Sequence, residues 1–133
     1  MMRQAMLAGA VAFGLAAAPA FAADEAFVMK AAKGGMAEVE LGKLAAEKGM
    51  SAGVKTFGQR MADDHGKAGD ELKTLAQNKH ITLPTDIDPK DKALRARLIT
   101  LSGAAFDHAY MQAMVADRVK DVNEFKREAK SGK

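Results

Sequence analysis

The stretch that decides the fold is Leu41–Met61, "LGKLAAEKGMSAGVKTFGQRM". Before Gly49 the apolar residues recur every three or four positions, and a glycine just past the last of them is a helix stop. Ser51 is a good N-cap, because its hydroxyl can accept from an early amide of the next helix that has no partner within that helix. Only "KGMS" separates the two patterns, so the helices must reverse as an antiparallel hairpin.

Working outward, the first helical pattern spans about Asp24 to Lys48, with Phe27, Ala31, Gly34, Leu41 and Ala45 on one stripe. Gly34, Gly35 and Gly42 each cost about 1 kcal/mol of helix propensity relative to Ala. The usual compensation is close approach of another backbone, so these glycines predict tight helix packing. The second pattern runs from Ser51 to about Lys79, with Val54, Phe57, Met61, Ala68, Leu72 and Leu75 inward. "HITLPTDID" (80–88) interrupts it. Asp88-Pro89 restarts a helix with an N-cap and a proline in the first helical position, and Asp91 adds negative charge to the first turn. A short amphipathic piece carries Leu94, Leu98 and Leu101 to Ser102-Gly103. A third long helix follows, with Phe106, Tyr110, Met114, Val122, Phe125 and Ala129 on a broad side. Nothing alternates as a strand and nothing repeats. The class is all-α.

The N-terminus predicts a compartment. Arg3 precedes an apolar run from Ala5 to Pro19, and Ala20-Phe21-Ala22 forms a small-x-small cleavage signal. This is the layout of a secretory signal peptide over residues 1–22, cut after Ala22. Residues 23–133 then form one domain, expected to be periplasmic or secreted. The chain has no cysteine, so neither a lipid-anchored form nor a disulfide is possible. Net charge is +3, and +2 without Arg3. With few aromatics and no basic stripe carrying stacking residues, nucleic-acid binding is not expected. Serine occurs only at 51, 102 and 131, at a cap, a break and the tail, so nucleophilic catalysis has no evident player.

The polar residues on apolar stripes are the candidate site. Glu38 lies in the middle of the first stripe, Asp64 and His65 flank the second, and Asp107, Met111, Met114 and Arg118 share a face of the third long helix. Folding the hairpin about Gly49 brings Glu38 level with Met61, one turn from His65. Buried charges are costly unless paired or metal-bound, so these groups should meet. One arrangement is a hydrogen-bonded cluster, Glu38 with His65 and Arg118 with Asp107 or Asp121. The other is a transition-metal site using Glu38, Asp64, His65 and Asp107, since carboxylates and histidine projecting into a bundle core hold metals in di-metal bundles. The Glu-x-x-His pairs of such sites are absent. Met61, four residues before His65, would add a soft thioether donor suited to copper, although a methionine on a helix stripe is usually core filler. Tyr110 suits either a proton relay or a core tyrosine whose hydroxyl meets Asp107. His80, at the exit of the second helix, and His108 read as solvated, as does the basic cluster Lys90, Lys92, Arg95 and Arg97, leaving any membrane contact at most peripheral.

Three segments carry a family resemblance: "GGMAEVELGKLAAEKG", "FGQRMADDHGKAGDELKTLA" and especially "LSGAAFDHAYMQAMVADRVKDVNEF". Over about Glu25 to Ala129 the chain resembles the bacterial family called domain of unknown function 4142, whose members are exported, ferritin-like helical proteins. The resemblance implies an up-down ferritin-like bundle with a long crossover over 80–102. It points to Glu38, Asp64-His65, and Asp107 with Tyr110 and Met111. Two departures matter: Arg118 stands where the family usually has a histidine, and the fourth helix with its further histidine is not reached by Lys133. A cation at 118 repels a metal. The expectation is therefore a non-enzymatic envelope or stress-associated module, with an extracytoplasmic metal-binding protein as the alternative and a di-metal oxidase third. The missing helix should leave an apolar groove along the first and third long helices, through which copies self-associate.

Overall fold

Two long helices, α1 (Ala17–Lys48) and α2 (Ala52–Asn78), reverse across Gly49, Met50 and Ser51. A short helix α3 (Pro89–Thr100) and a long α4 (Gly103–Ser131) follow. The computed structural model describes residues 17–131, with side chains from residue 24. Every regular element among the described residues is helical. Of the expected leader, residues 1–16 lie outside the described residues. Residues 17–22 are the first turns of α1, which therefore starts earlier than the expected Asp24.

The hairpin turn is built as its residues require. Ser51 is extended (φ −82°, ψ 148°) and its hydroxyl accepts from the Val54 amide at 3.2 Å. Beyond the turn, α1 and α2 touch backbone to backbone. A Cβ added at Gly42 would lie 2.6 Å from the Gly58 carbonyl oxygen, and one added at Gly58 would lie 2.6 Å from the Gly42 oxygen and 2.7 Å from Ala45 Cβ. Only hydrogen side chains permit that crossing, which outweighs the propensity lost at two helix positions. Gly34 and Gly35 differ from expectation, because a Cβ there would meet nothing within 4 Å. Their stretch of α1 is only half-buried, since α2 and α4 close on it loosely.

The main core lies beside the crossing. Leu41, Leu44 and Ala45 of α1 meet Val54 and Met61 of α2, Leu98 of α3, and Phe106, Ala109, Tyr110 and Met114 of α4. Leu41, Leu98, Phe106 and Tyr110 are fully enclosed, and each such side chain contributes about 1.5–3 kcal/mol by leaving water. Val28, Ala76 and Ile81 form a smaller cluster with Leu72 and Leu83. The end of α2 builds this second cluster. His80 takes a left-handed φ of 55°, and the Ile81 amide returns to the Ala76 carbonyl at 2.8 Å, the hydrogen bond of a Schellman stop. His80 thus terminates the helix in a position glycine usually holds.

Five expected inward positions point elsewhere. Ala68 and Leu75 of α2 are exposed, while Ala62 and Ala76 are buried in their place, because α2 turns its small residues toward α1. Val122, Phe125 and Ala129 of α4 are also exposed. Asp88 caps α3 only through its backbone, because its carboxylate is taken by Lys33 of α1 at 2.8 Å. That ammonium holds the Asp88 carboxyl below the usual carboxylate range and ties the crossover to α1.

The glycines separate cleanly in their expected behaviour. Gly58→Ala forces α1 and α2 apart and should destabilise the protein by about 2–3 kcal/mol. Gly34→Ala enters open space and should stabilise it by about 0.5–1 kcal/mol. Urea denaturation of the two variants beside the parent checks both signs.

Candidate functional site

The hairpin crossing dictates which polar groups meet. Glu38 sits one turn before Gly42 on α1, and His65 two turns after Gly58 on α2. The antiparallel register sets their side chains opposite one another across the close seam. His65 Nε2 lies 2.8 Å from Glu38 Oε2. The Glu38 side chain is 6% exposed and that of His65 27%. The pair therefore has one end inside the protein and one at its surface. This contact with the imidazole gives the buried carboxylate the partner its burial demands.

Asp121 of α4 lies in the electrostatic field of this pair. Its carboxyl is pushed up, first by burial and then by the neighbouring carboxylates of Glu38 and Asp117, with His65 opposing. The expected ion pair between Arg118 and Asp107 or Asp121 does not form; the Arg118 guanidinium reaches Met61 Sδ at 3.5 Å. Arg118 thus spans from α4 to a buried sulfur on α2, and Met61, 4% exposed, is a core side chain.

Tyr110 is fully buried, stacked on Phe106 at 6.0 Å and edge-on to Phe57 at 6.2 Å. Its hydroxyl has no hydrogen-bond partner among the described residues. Burial, and after it the charge of Glu38, pushes the phenol up to about 12. The carboxylate acting on Tyr110 is therefore Glu38 and not Asp107. With no partner to pass a proton to among the described residues, Tyr110 is placed as a core tyrosine.

The remaining sequence candidates are elsewhere. Asp64 points outward, with its side chain 60% exposed and paired with Arg60 at 3.4 Å one turn back. At a 100° step per residue Asp64 and His65 leave α2 in different directions, and the one aimed at α1 is His65. Asp107 lies at the hairpin end of the molecule, where its two oxygens accept from the amides of Met50 at 2.8 Å and Ser51 at 2.9 Å. It ties α4 to the start of α2. Those amides hold its carboxyl below the usual range. Among the described residues no group of three or more His, Asp or Glu side chains is placed to share one metal ion. His108 and His80 are exposed, as expected, and so are Lys90, Lys92, Arg95 and Arg97. Lys92 pairs with Asp86, and Arg95 with Glu40 at 3.6 Å.

Sequence reasoning missed the packing of Asp91, which is 6% exposed and therefore more than a favourable charge in a first turn. Burial raises its carboxyl, Lys90 at 3.9 Å opposes, and Asp117 adds to the rise. The signal that could have found it is its spacing from Leu94 and Leu98, which places all three on one face.

A family model described as domain of unknown function DUF4142 matches residues 10–133 of the chain. No curated protein and no solved structure matches it.

The function of Asp107 as a clamp has a pH signature. A carboxyl held low in the folded state adds stability above its unfolded value, and that stability is lost as the pH falls through the folded value. Asp107→Asn should lower the melting temperature at pH 7. The difference from the parent should begin to shrink below about pH 4 and close as the pH falls through the lower folded-state value, where the aspartate too becomes neutral. Thermal denaturation across pH 2.5–7 (about the range that spans carboxylate titration) measures it.

Proposed function

Because this chain belongs to the family of domain of unknown function DUF4142, we propose that it is an exported, ferritin-like helical module with a non-enzymatic role in the cell envelope. The observation that carries the reading is the Glu38–His65 pair at 2.8 Å. It satisfies the one buried carboxylate at the centre of the hairpin without any further ligand. The polar centre thus serves to register α1 against α2. No serine or cysteine nucleophile is available beside it, and Tyr110 is placed as a core tyrosine. The ferritin-like description is supported by the α1–α2 hairpin, by the crossover holding α3, and by an outer side of α4 that no helix covers among the described residues. Export is supported by Arg3, the apolar run to Pro19 and Ala20-Phe21-Ala22. If it is right, chain recovered from the extracytoplasmic fraction of a bacterial host begins at Ala23. An intact Met1 in that fraction counts against it.

A second reading is an extracytoplasmic metal-binding protein. It rests on the same Glu38–His65 contact, a carboxylate and an imidazole from two helices, which are donors suited to a borderline divalent ion. Because no third His, Asp or Glu among the described residues is placed to share that ion, its remaining ligands would have to be water. Asp64 and Asp107, the other expected ligands, lie away from the pair.

One experiment separates the readings. In chelator-treated, metal-free buffer, Glu38→Ala and His65→Ala should each destabilise the fold. The double variant should lose less than the sum, with a coupling of about 1–3 kcal/mol. If both single variants keep full metal-free stability and instead abolish stoichiometric uptake of zinc or copper, the metal reading replaces the structural one.

A further inference from the structure

The second half of α4 is built inside out. Its four acids, Asp117, Asp121, Glu124 and Glu128, are all half-buried, spaced four, three and four residues apart on the side facing the rest of the protein. Glu124 takes Lys30 of α1 at 3.0 Å, Asp121 lies in the field of Glu38 and His65, and Asp117 in that of Lys90 and Asp91 of α3. The apolar residues of the same segment face solvent: Val115 is 62% exposed, Val119 59%, Val122 43% and Phe125 57%. They recur at i, i+4, i+7 and i+10, a continuous stripe along one side of the helix. Elsewhere among the described residues, large exposed apolar side chains are single and scattered: Met50, Leu75 and Ile99.

The cations of the segment divide between the two sides. Lys126 and Lys130 are exposed on the outer side, whereas Arg118 reaches inward to Met61 and Lys120 lies near Lys90 and Asp91 of α3; no acid shares the outer face, because all four are turned inward. Lys126 lies within the valine stripe and Lys130 on its flank. Arg127 keeps contact with Glu124, at the border between the two faces. The outer surface is thus apolar along its middle and purely cationic among and around it.

We propose that this face of α4 is a docking surface for an anionic bilayer, with Val115, Val119, Val122 and Phe125 entering the headgroup boundary and Lys126 and Lys130 meeting lipid phosphates. The occupant follows from charge. A second copy presenting the same face would bring Lys126 and Lys130 of both chains to an apolar seam with no carboxylate on either side to relieve them. An anionic headgroup layer answers both the cations and the apolar stripe, which is how an interfacial helix binds. The contact is peripheral, since no helix of the described residues is long and apolar enough to cross a membrane. The inference stands apart from the Glu38–His65 pair, which lies on the opposite side of α4.

Co-sedimentation of the full chain with vesicles tests it, using phosphatidylcholine alone and phosphatidylcholine with phosphatidylglycerol. The parent should bind the anionic vesicles at least about tenfold more tightly than the neutral ones, with the preference falling as salt is raised. Lys126→Glu/Lys130→Glu and Val119→Glu/Val122→Glu should each weaken anionic binding by about tenfold or more relative to the parent, which carries the same N-terminal residues. Leu75→Glu, on α2, should leave it unchanged. The lysine pair is fully exposed, so it keeps the test valid if the valine pair disturbs folding as judged by circular dichroism. Equal binding to both vesicle types, or unchanged binding by the lysine variant, overturns the proposal. So does a concentration-dependent dimer, dissolved by the valine substitutions, in a chain that ignores vesicles; the occupant would then be a second copy.

Discussion

The arrangement of this protein depends on one contact, the backbone crossing of α1 and α2 at Gly42 and Gly58. With each glycine's missing Cβ standing 2.6 Å from the other's carbonyl oxygen, the two helices have no freedom to slide or separate. A crossing that close is a register device, because only one pairing of positions puts glycine against glycine. From it follows the opposition of Glu38 and His65, since each is a fixed number of turns from the crossing. The packing of Leu41, Ala45, Val54 and Met61 follows as well, because those residues line the seam on its other side. The rest of the chain is laid over this hairpin. Asp107 ties α4 to the turn, and Lys33 ties the crossover to α1 through Asp88.

The two halves of α4 obey different rules. Up to Met114 the helix is an ordinary core element, with Phe106, Ala109, Tyr110 and Met114 buried against three partners. Beyond Met114 its inner side is acidic and its outer side apolar. The inner acids are accommodated because α1, α2 and α3 offer Lys30, His65 and Lys90 there, and because this part of α1 is only half-buried, so water reaches the seam. Exposed ion pairs of that kind add little to stability. The second half of α4 is therefore held mainly by its continuity with the first half and by the edge-on contact of Phe27 with Phe125 at 5.3 Å. A helix end held so lightly is suited to meeting another surface.

The polar centre shows why two adjacent candidates, Asp64 and His65, have unlike fates. A helix turns 100° per residue, so neighbouring side chains leave it in different directions. The tight α1–α2 seam brings inward the flank that carries His65 and leaves Asp64 outside with Arg60. Tyr110 shows the same selectivity. Its phenol is placed by ring packing against Phe57 and Phe106, and the carboxylate it then feels is Glu38 of α1, not Asp107 on its own helix.

The sequence alone determined the helical class, the reversal at Gly49–Ser51, the restart at Pro89, the break at Ser102-Gly103 and the meeting of Glu38 with His65. These are set by local signals: a cap, a stop, a proline, a period, and the short reach of a four-residue turn. Tertiary structure alone decided which glycines are close contacts, since Gly34 and Gly42 look alike in sequence and differ only in what lies opposite. It also decided that Asp107 clamps a turn, that Asp91 is buried, and that α4 turns its acids inward and its valines out. A stripe read from periodicity gives the residues that share a face. Which face is covered depends on the other helices, and the open outer side of α4 is visible only once they are in place.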